Sequence, residues 1–116
     1  LRSDFNSTFL NFTEFFSYKE CQSKKINVEF NAHRSGGKLV AFKNNKILLT
    51  VGDYGNSILA QDMKSLFGKI LSIDLKTKEY EIISMGHRNP QGLYYFKDNS
   101  NVVTYNAIAN LFKEKI

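Results

Sequence analysis

Apolar residues in this chain fall in short runs of four to six positions, and the runs come in pairs. Residues 38–42 and 47–51 are two β-rich runs joined by the polar stretch Lys43-Asn44-Asn45-Lys46, which is a hairpin pattern. Residues 69–74 and 79–84 repeat the arrangement across 75–78, with Tyr80 and Ile82 alternating with Glu79 and Glu81 as a half-buried strand requires. A third pair, 93–96 and 102–105, is joined by the polar residues 97–101. The N-terminal stretch 9–18 is aromatic-rich and reads as a strand, although Phe5, Phe9, Phe12 and Phe16 also fit helical spacing.

The pattern repeats. Leu39-Val40-Ala41-Phe42-Lys43-Asn44-Asn45 returns as Leu93-Tyr94-Tyr95-Phe96-Lys97-Asp98-Asn99, and the same offset of 54 residues sets Leu48-Leu49-Thr50 on Val102-Val103-Thr104. A period near fifty residues with four strands per unit is what a β-propeller blade requires. The chain therefore reads as all-β, one partial domain over 1–116. One complete four-stranded blade runs over about 39–84, the N-terminal strand belongs to the preceding blade, and residues from 93 onward open the next. Ile108, Leu111, Phe112 and Ile116 suit one face of a short C-terminal helix. A blade normally buries both faces, so an isolated one is expected to expose Leu39, Ala41, Leu48, Ile70, Ile73, Ile82 and Tyr94.

Successive connections of an antiparallel meander alternate between the two ends of the sheet. That parity puts the short polar hairpins on one rim and the longer connections, 31–37, 52–68 and 85–91, on the other. The second rim collects His33, Gly52-Asp53 and His87-Arg88-Asn89, which stand far apart in the chain. Long loops on one rim of a rigid scaffold are where sites are usually built.

The last of these connections, M-G-H-R-N-P-Q-G-L at 85–93, holds the one proline and two of the seven glycines. Pro90 restricts its own φ and pushes Asn89 toward extended geometry, so the Arg88 fork and the Asn89 amide sit in a shaped loop. Two readings stand: a binding loop, or a turn whose Arg and Asn tie down carbonyls. His33 and Asp53 likewise allow two. A carboxylate bonded to one imidazole nitrogen leaves the other as a proton acceptor, or else Asp53 is a turn residue and His33 an ordinary loop histidine. His87, in a loop already constrained by proline and glycine, reads as structural.

Composition narrows the classes. The net charge of +5 comes from 16 Lys and Arg spread along the chain, with no basic stripe, and the aromatics lie inside apolar runs. Nucleic acid is not the expected partner. Two histidines and one cysteine, Cys21, match no tetrahedral zinc pattern and form no internal disulfide. No apolar run approaches the ~20 residues of a membrane span. Asn6 and Asn11 head N-x-T sequons, which matter where secreted proteins are glycosylated. Leu1 has no charged-then-apolar leader after it, so the start is expected to be a cut, with any signal peptide lying before it.

Five segments, H-R-S-G-G-K-L at 33–39, T-V-G-D at 50–53, A-Q-D at 60–62, G-K-I-L-S-I-D-L at 68–75 and G-H-R-N-P-Q-G-L at 86–93, resemble in order those of the glucose/sorbosone dehydrogenase family. That family comprises soluble PQQ-dependent aldose sugar dehydrogenases built as six-bladed propellers. The resemblance covers about 31–104. It implies that His33 is the catalytic base, that Asp53 orients it, and that Arg88 and Asn89 contact PQQ. It further implies proton removal from the anomeric hydroxyl, hydride transfer to PQQ, and stabilisation of the quinone oxygen's charge by Arg88. An external electron acceptor, a calcium ion held by other blades and a periplasmic or secreted location belong to the same expectation. Some relatives use the propeller to bind a protein without PQQ, so a non-catalytic protein- or carbohydrate-binding module is the alternative. Two departures stand out: five residues separate His33 from Leu39 where the family usually has four, and Tyr105-Asn106-Ala107 replaces an E-H-G-P type segment.

Overall fold

The computed structural model describes residues 1–5, 10–21 and 30–106. The expected helix at 108–116 and the sequon residue Asn6 lie outside the described residues. Among the described residues, eight strands and one helix follow in chain order: β1 Arg2–Phe5, β2 Leu10–Thr13, β3 Gly36–Phe42, β4 Lys46–Val51, α1 Ser57–Gln61, β5 Lys69–Asp74, β6 Tyr80–Met85, β7 Pro90–Phe96 and β8 Asn101–Asn106. They form three antiparallel sheets, β1-β2, β3-β4-β5-β6 and β7-β8. The middle sheet is the complete blade, with a two-stranded piece on either side, so the architecture is that of a β-propeller fragment.

The turns on the short-loop rim are built by the residues that suit them. Asn44 and Asn45 take φ of 56° and 58° between β3 and β4, left-handed angles that asparagine tolerates better than most residues. Between β5 and β6, the Asp74 carboxylate accepts the N–H groups of Lys76 (2.8 Å) and Thr77 (2.9 Å). These two bonds hold its pKa below the usual carboxylate range.

β5 is one of the two inner strands of the blade, and its alternation serves two cores. Leu48 and Ile70 face Leu93 of β7, flanked by Val40, Phe42 and Val102. Leu71 and Ile73 point the other way, onto Leu66, Phe15, Phe16, Leu49 and Ile82. Burying a side chain of this size contributes about 2 kcal/mol, so both faces are cohesive. The expected exposure is therefore corrected for Leu48, Ile70 and Ile73, each at most 1% exposed, whereas Leu39 (57%) and Tyr94 (60%) do stand in solvent. β7 covers one face and Phe15 with Phe16 covers the other.

The N-terminal stretch departs from a single strand over 9–18. β2 ends at Thr13, and the chain beyond it crosses the blade as a strap without a sheet partner. Phe15 and Phe16 enter the Leu71 cluster, Phe16 and Tyr18 meet Tyr80 edge-on, and Glu20 accepts from Ser65 Oγ (2.5 Å) and Leu66 N (2.8 Å). Aromatic burial replaces the ladder. A second difference lies at the loop before β7, which shrinks to 86–89 because Met85 closes β6 and Pro90 opens β7. Proline is tolerated as the first residue of a strand, where its missing N–H removes no central ladder bond.

Candidate functional site

The three long connections do meet on one rim, and backbone hydrogen bonds lace them together. Gly52 N donates to Ser35 O (2.9 Å) and Tyr54 N to Arg34 O (3.1 Å), which joins the first loop to the second. Asp53 N donates to Arg88 O (2.9 Å) and His87 N to Gly68 O (3.0 Å), which joins the second to the third. The Asn89 side chain closes the circuit, with Nδ2 donating to His33 O (2.8 Å) and Oδ1 accepting from Gly36 N (3.2 Å). The approach at residue 52 requires glycine, since a Cβ there would overlap the carbonyl oxygen of Arg34.

The middle connection contains α1, a single turn too short for periodicity to reveal. Asn56 caps it, its Oδ1 accepting from Leu59 N at 3.4 Å. Its other end is held by Lys69, fully buried at the start of β5, whose Nζ donates to Leu59 O (2.8 Å), Ala60 O (2.9 Å) and Phe67 O (2.8 Å). Burial pushes the Lys69 ammonium down, while the charges of Asp62 and Glu20 pull it up. Three carbonyl acceptors favour the charged form, so Lys69 is an internal tie between helix and sheet.

Together the loops enclose a cleft of about 350 Å³ lined by Arg34 from the first, Asp53, Gly55, Ser57, Ala60 and Gln61 from the second, and Gly86 and Arg88 from the third. Asp53 is 2% exposed, and its Oδ1 accepts the Gly55 N–H at 2.8 Å. Of the four residues singled out from sequence, Asp53 and Arg88 reach this cleft. Asn89, 8% exposed, lies beneath it and ties the turn that carries His33. The His33 side chain is exposed, and its turn is braced by its own N–H donating to Asn31 Oδ1 at 3.0 Å. Arg34, Ser57 and Gln61 were not anticipated. Arg34 follows His33 directly and Gln61 lies in the A-Q-D segment, but neither spacing nor parity says which neighbour faces inward. A larger cleft of about 370 Å³ is lined mainly by Phe15, Phe16, Leu39, Ile47, Leu49 and Ile73. It is the apolar face of the blade under the N-terminal strap and brings no polar groups into convergence.

Residues 12–107 match the family model described as glucose/sorbosone dehydrogenase. The chain belongs to that family. A solved structure similar to this dehydrogenase-family chain is that of a proposed oxidoreductase (glucose dehydrogenase) from Thermus thermophilus. The two are 30% identical with a TM-score of 0.56, over 61% of this chain and 25% of the other. The family member described here thus spans about a quarter of that protein. No curated protein counts as a match to it.

His87, in the third loop of this dehydrogenase-family rim, is not among the residues lining the cleft. Its Nε2 lies 2.8 Å from Ser84 Oγ, and burial, followed by the Lys69 charge, lowers its pKa below the usual 6.5. A neutral, half-buried imidazole bonded to the end of the preceding strand is a structural histidine. Among the described residues, no cluster of three or more His, Cys, Asp or Glu could hold a metal ion, and no helix is long and apolar enough to cross a membrane.

Proposed function

We propose that this chain is the part of a quinoprotein sugar dehydrogenase that carries the catalytic base and one side of the cofactor site. The observation that carries the reading is the union of Asp53 and Arg88, joined through their backbones and lining one cleft, in a chain of the glucose/sorbosone dehydrogenase family. The cleft suits PQQ on its own chemistry. Guanidinium forks match carboxylates and quinone oxygens, Ser57 and Gln61 add neutral polar groups, and Gly55 and Gly86 line the cleft without side chains.

PQQ when bound supplies the two-electron acceptor for oxidation of an aldose at its anomeric carbon. This chain's residues do the rest. His33, on a turn pinned by Asn89, takes the proton of the anomeric hydroxyl; Asp53 orients the base; Arg88 holds the negative charge that develops on the bound acceptor. Calcium, if required, is bound by other parts of the parent. An external electron acceptor would complete the cycle. The second reading, a propeller that binds a protein or carbohydrate without turnover, draws on the exposure of His33 outside the cleft lining.

The test is made in the full-length parent. His33→Ala should lower turnover about 10²- to 10⁴-fold with PQQ affinity little changed, whereas Arg88→Ala should impair both. Turnover that stays within ~3-fold of the parent after His33→Ala would remove His33 as the base, that loss being far below what general-base catalysis contributes. The 116-residue chain alone should reduce no dye with PQQ, calcium and glucose, because a closed site needs the rest of the ring.

A further inference from the structure

Two guanidiniums, Arg34 and Arg88, line the same cleft from different loops. The backbone beneath Arg34 is locked on both sides: its N–H donates to Asn31 O at 3.1 Å, its carbonyl accepts from Tyr54 N at 3.1 Å, and Gly52 packs against that carbonyl. A bulge follows just beyond. Gly36 pairs with Val51 and Leu39 with Leu49, three steps on β3 against two on β4, with Gly36 and Gly37 at φ of 68° and 95°. Such a bulge re-aims what precedes it. In this turn Arg34 lines the cleft and His33 is exposed. With Asp53 the one carboxylate among its lining residues, the cleft lining carries a net positive formal charge.

We propose that Arg34 is a second ligand-anchoring residue of this cleft, forming with Arg88 a two-point clamp for a flat ligand that carries carboxylates at separate positions. The clamp presupposes that the cleft is the ligand site named above, and PQQ, a polycarboxylate, is one ligand of the required class. A locked backbone removes the loop's share of the ordering cost, and the planar fork favours bidentate recognition over loose charge attraction.

The experiment is equilibrium dialysis of the full-length parent against benzene-1,3,5-tricarboxylate, benzoate and PQQ, with thermal melting as a folding control. Arg34→Ala should weaken the tricarboxylate about tenfold or more and leave benzoate within about twofold, since a single carboxylate needs only Arg88. Arg34→Lys, which keeps the charge and the stem, should recover only part of the loss because a point charge lacks the planar fork. Tricarboxylate affinity unchanged in Arg34→Ala overturns the clamp, as does an equal loss for benzoate, which would mean a general charge effect. Tricarboxylate binding that depends on Arg34, without PQQ binding, retains the clamp and removes the cofactor reading. PQQ binding indifferent to Arg34 does the reverse, and a wild type that binds neither overturns both.

Discussion

Asn89 Nδ2 donates to the carbonyl of His33 across 2.8 Å, joining residues 56 positions apart in the chain. The same amide accepts from Gly36 N, so one side chain satisfies two backbone groups of the first loop from within the third. Asn89→Ala leaves both without that partner at an 8% exposed position, and is expected to cost about 2 kcal/mol. Urea denaturation measures the loss, and amide exchange at Gly36 should quicken in step. An unchanged midpoint would mean that water or another group takes over both bonds.

Lys69→Met keeps much of the buried stem and removes the ammonium that Leu59, Ala60 and Phe67 carbonyls share. Leaving these acceptors in a dry pocket should cost about 3 kcal/mol. Because α1 hangs on this tie, the cleft should loosen too, seen as faster proteolysis within 57–68. Loss of less than about 1 kcal/mol would contradict the tie.

Gly52→Ala probes the close approach of two loops. The added methyl would overlap Arg34 O, so either the His33 turn or the start of the second loop must move. The expected cost is about 3 kcal/mol in stability, with weaker binding at the cleft. Gly37→Ala is the control. A Cβ there meets nothing within 4 Å, so only the strain of a φ of 95° should register.

His87 gives stability a pH dependence whose sign follows from its lowered pKa. As pH falls below the ordinary histidine value of 6.5, the unfolded chain takes up a proton that the folded imidazole, buried and facing the Lys69 charge, resists. Stability contributed by neutral His87 is therefore full above that value and is lost as pH falls toward the lowered one. The melting temperature should drop between pH 7.5 and 5.5, and His87→Gln should flatten that part of the profile. The same slope in the variant would assign the effect to other groups.

Much of the architecture is legible in the sequence, for local reasons. Alternation in 79–84, asparagines between β3 and β4, and the recurrence of Leu39–Asn45 at Leu93–Asn99 all act within a few residues. They specify strands and turns that pair in the observed order. Parity then follows from connectivity alone, and brings Asp53 and Arg88 to one rim. What needed the tertiary structure depends on contacts between distant segments. Phe15 reads equally well as strand residue or as part of a strap until Leu71 and Ile73 offer a surface to cover. Lys69 reads as a solvated lysine until three carbonyls converge on it. That Arg34 lines the cleft while His33 is exposed goes with a turn bonded to Asn31 and Tyr54, contacts that leave no mark on the hydrophobic pattern. Strand pairing is written in periodic, short-range preferences, whereas the aim of a single side chain is decided by the balance of the packing around it.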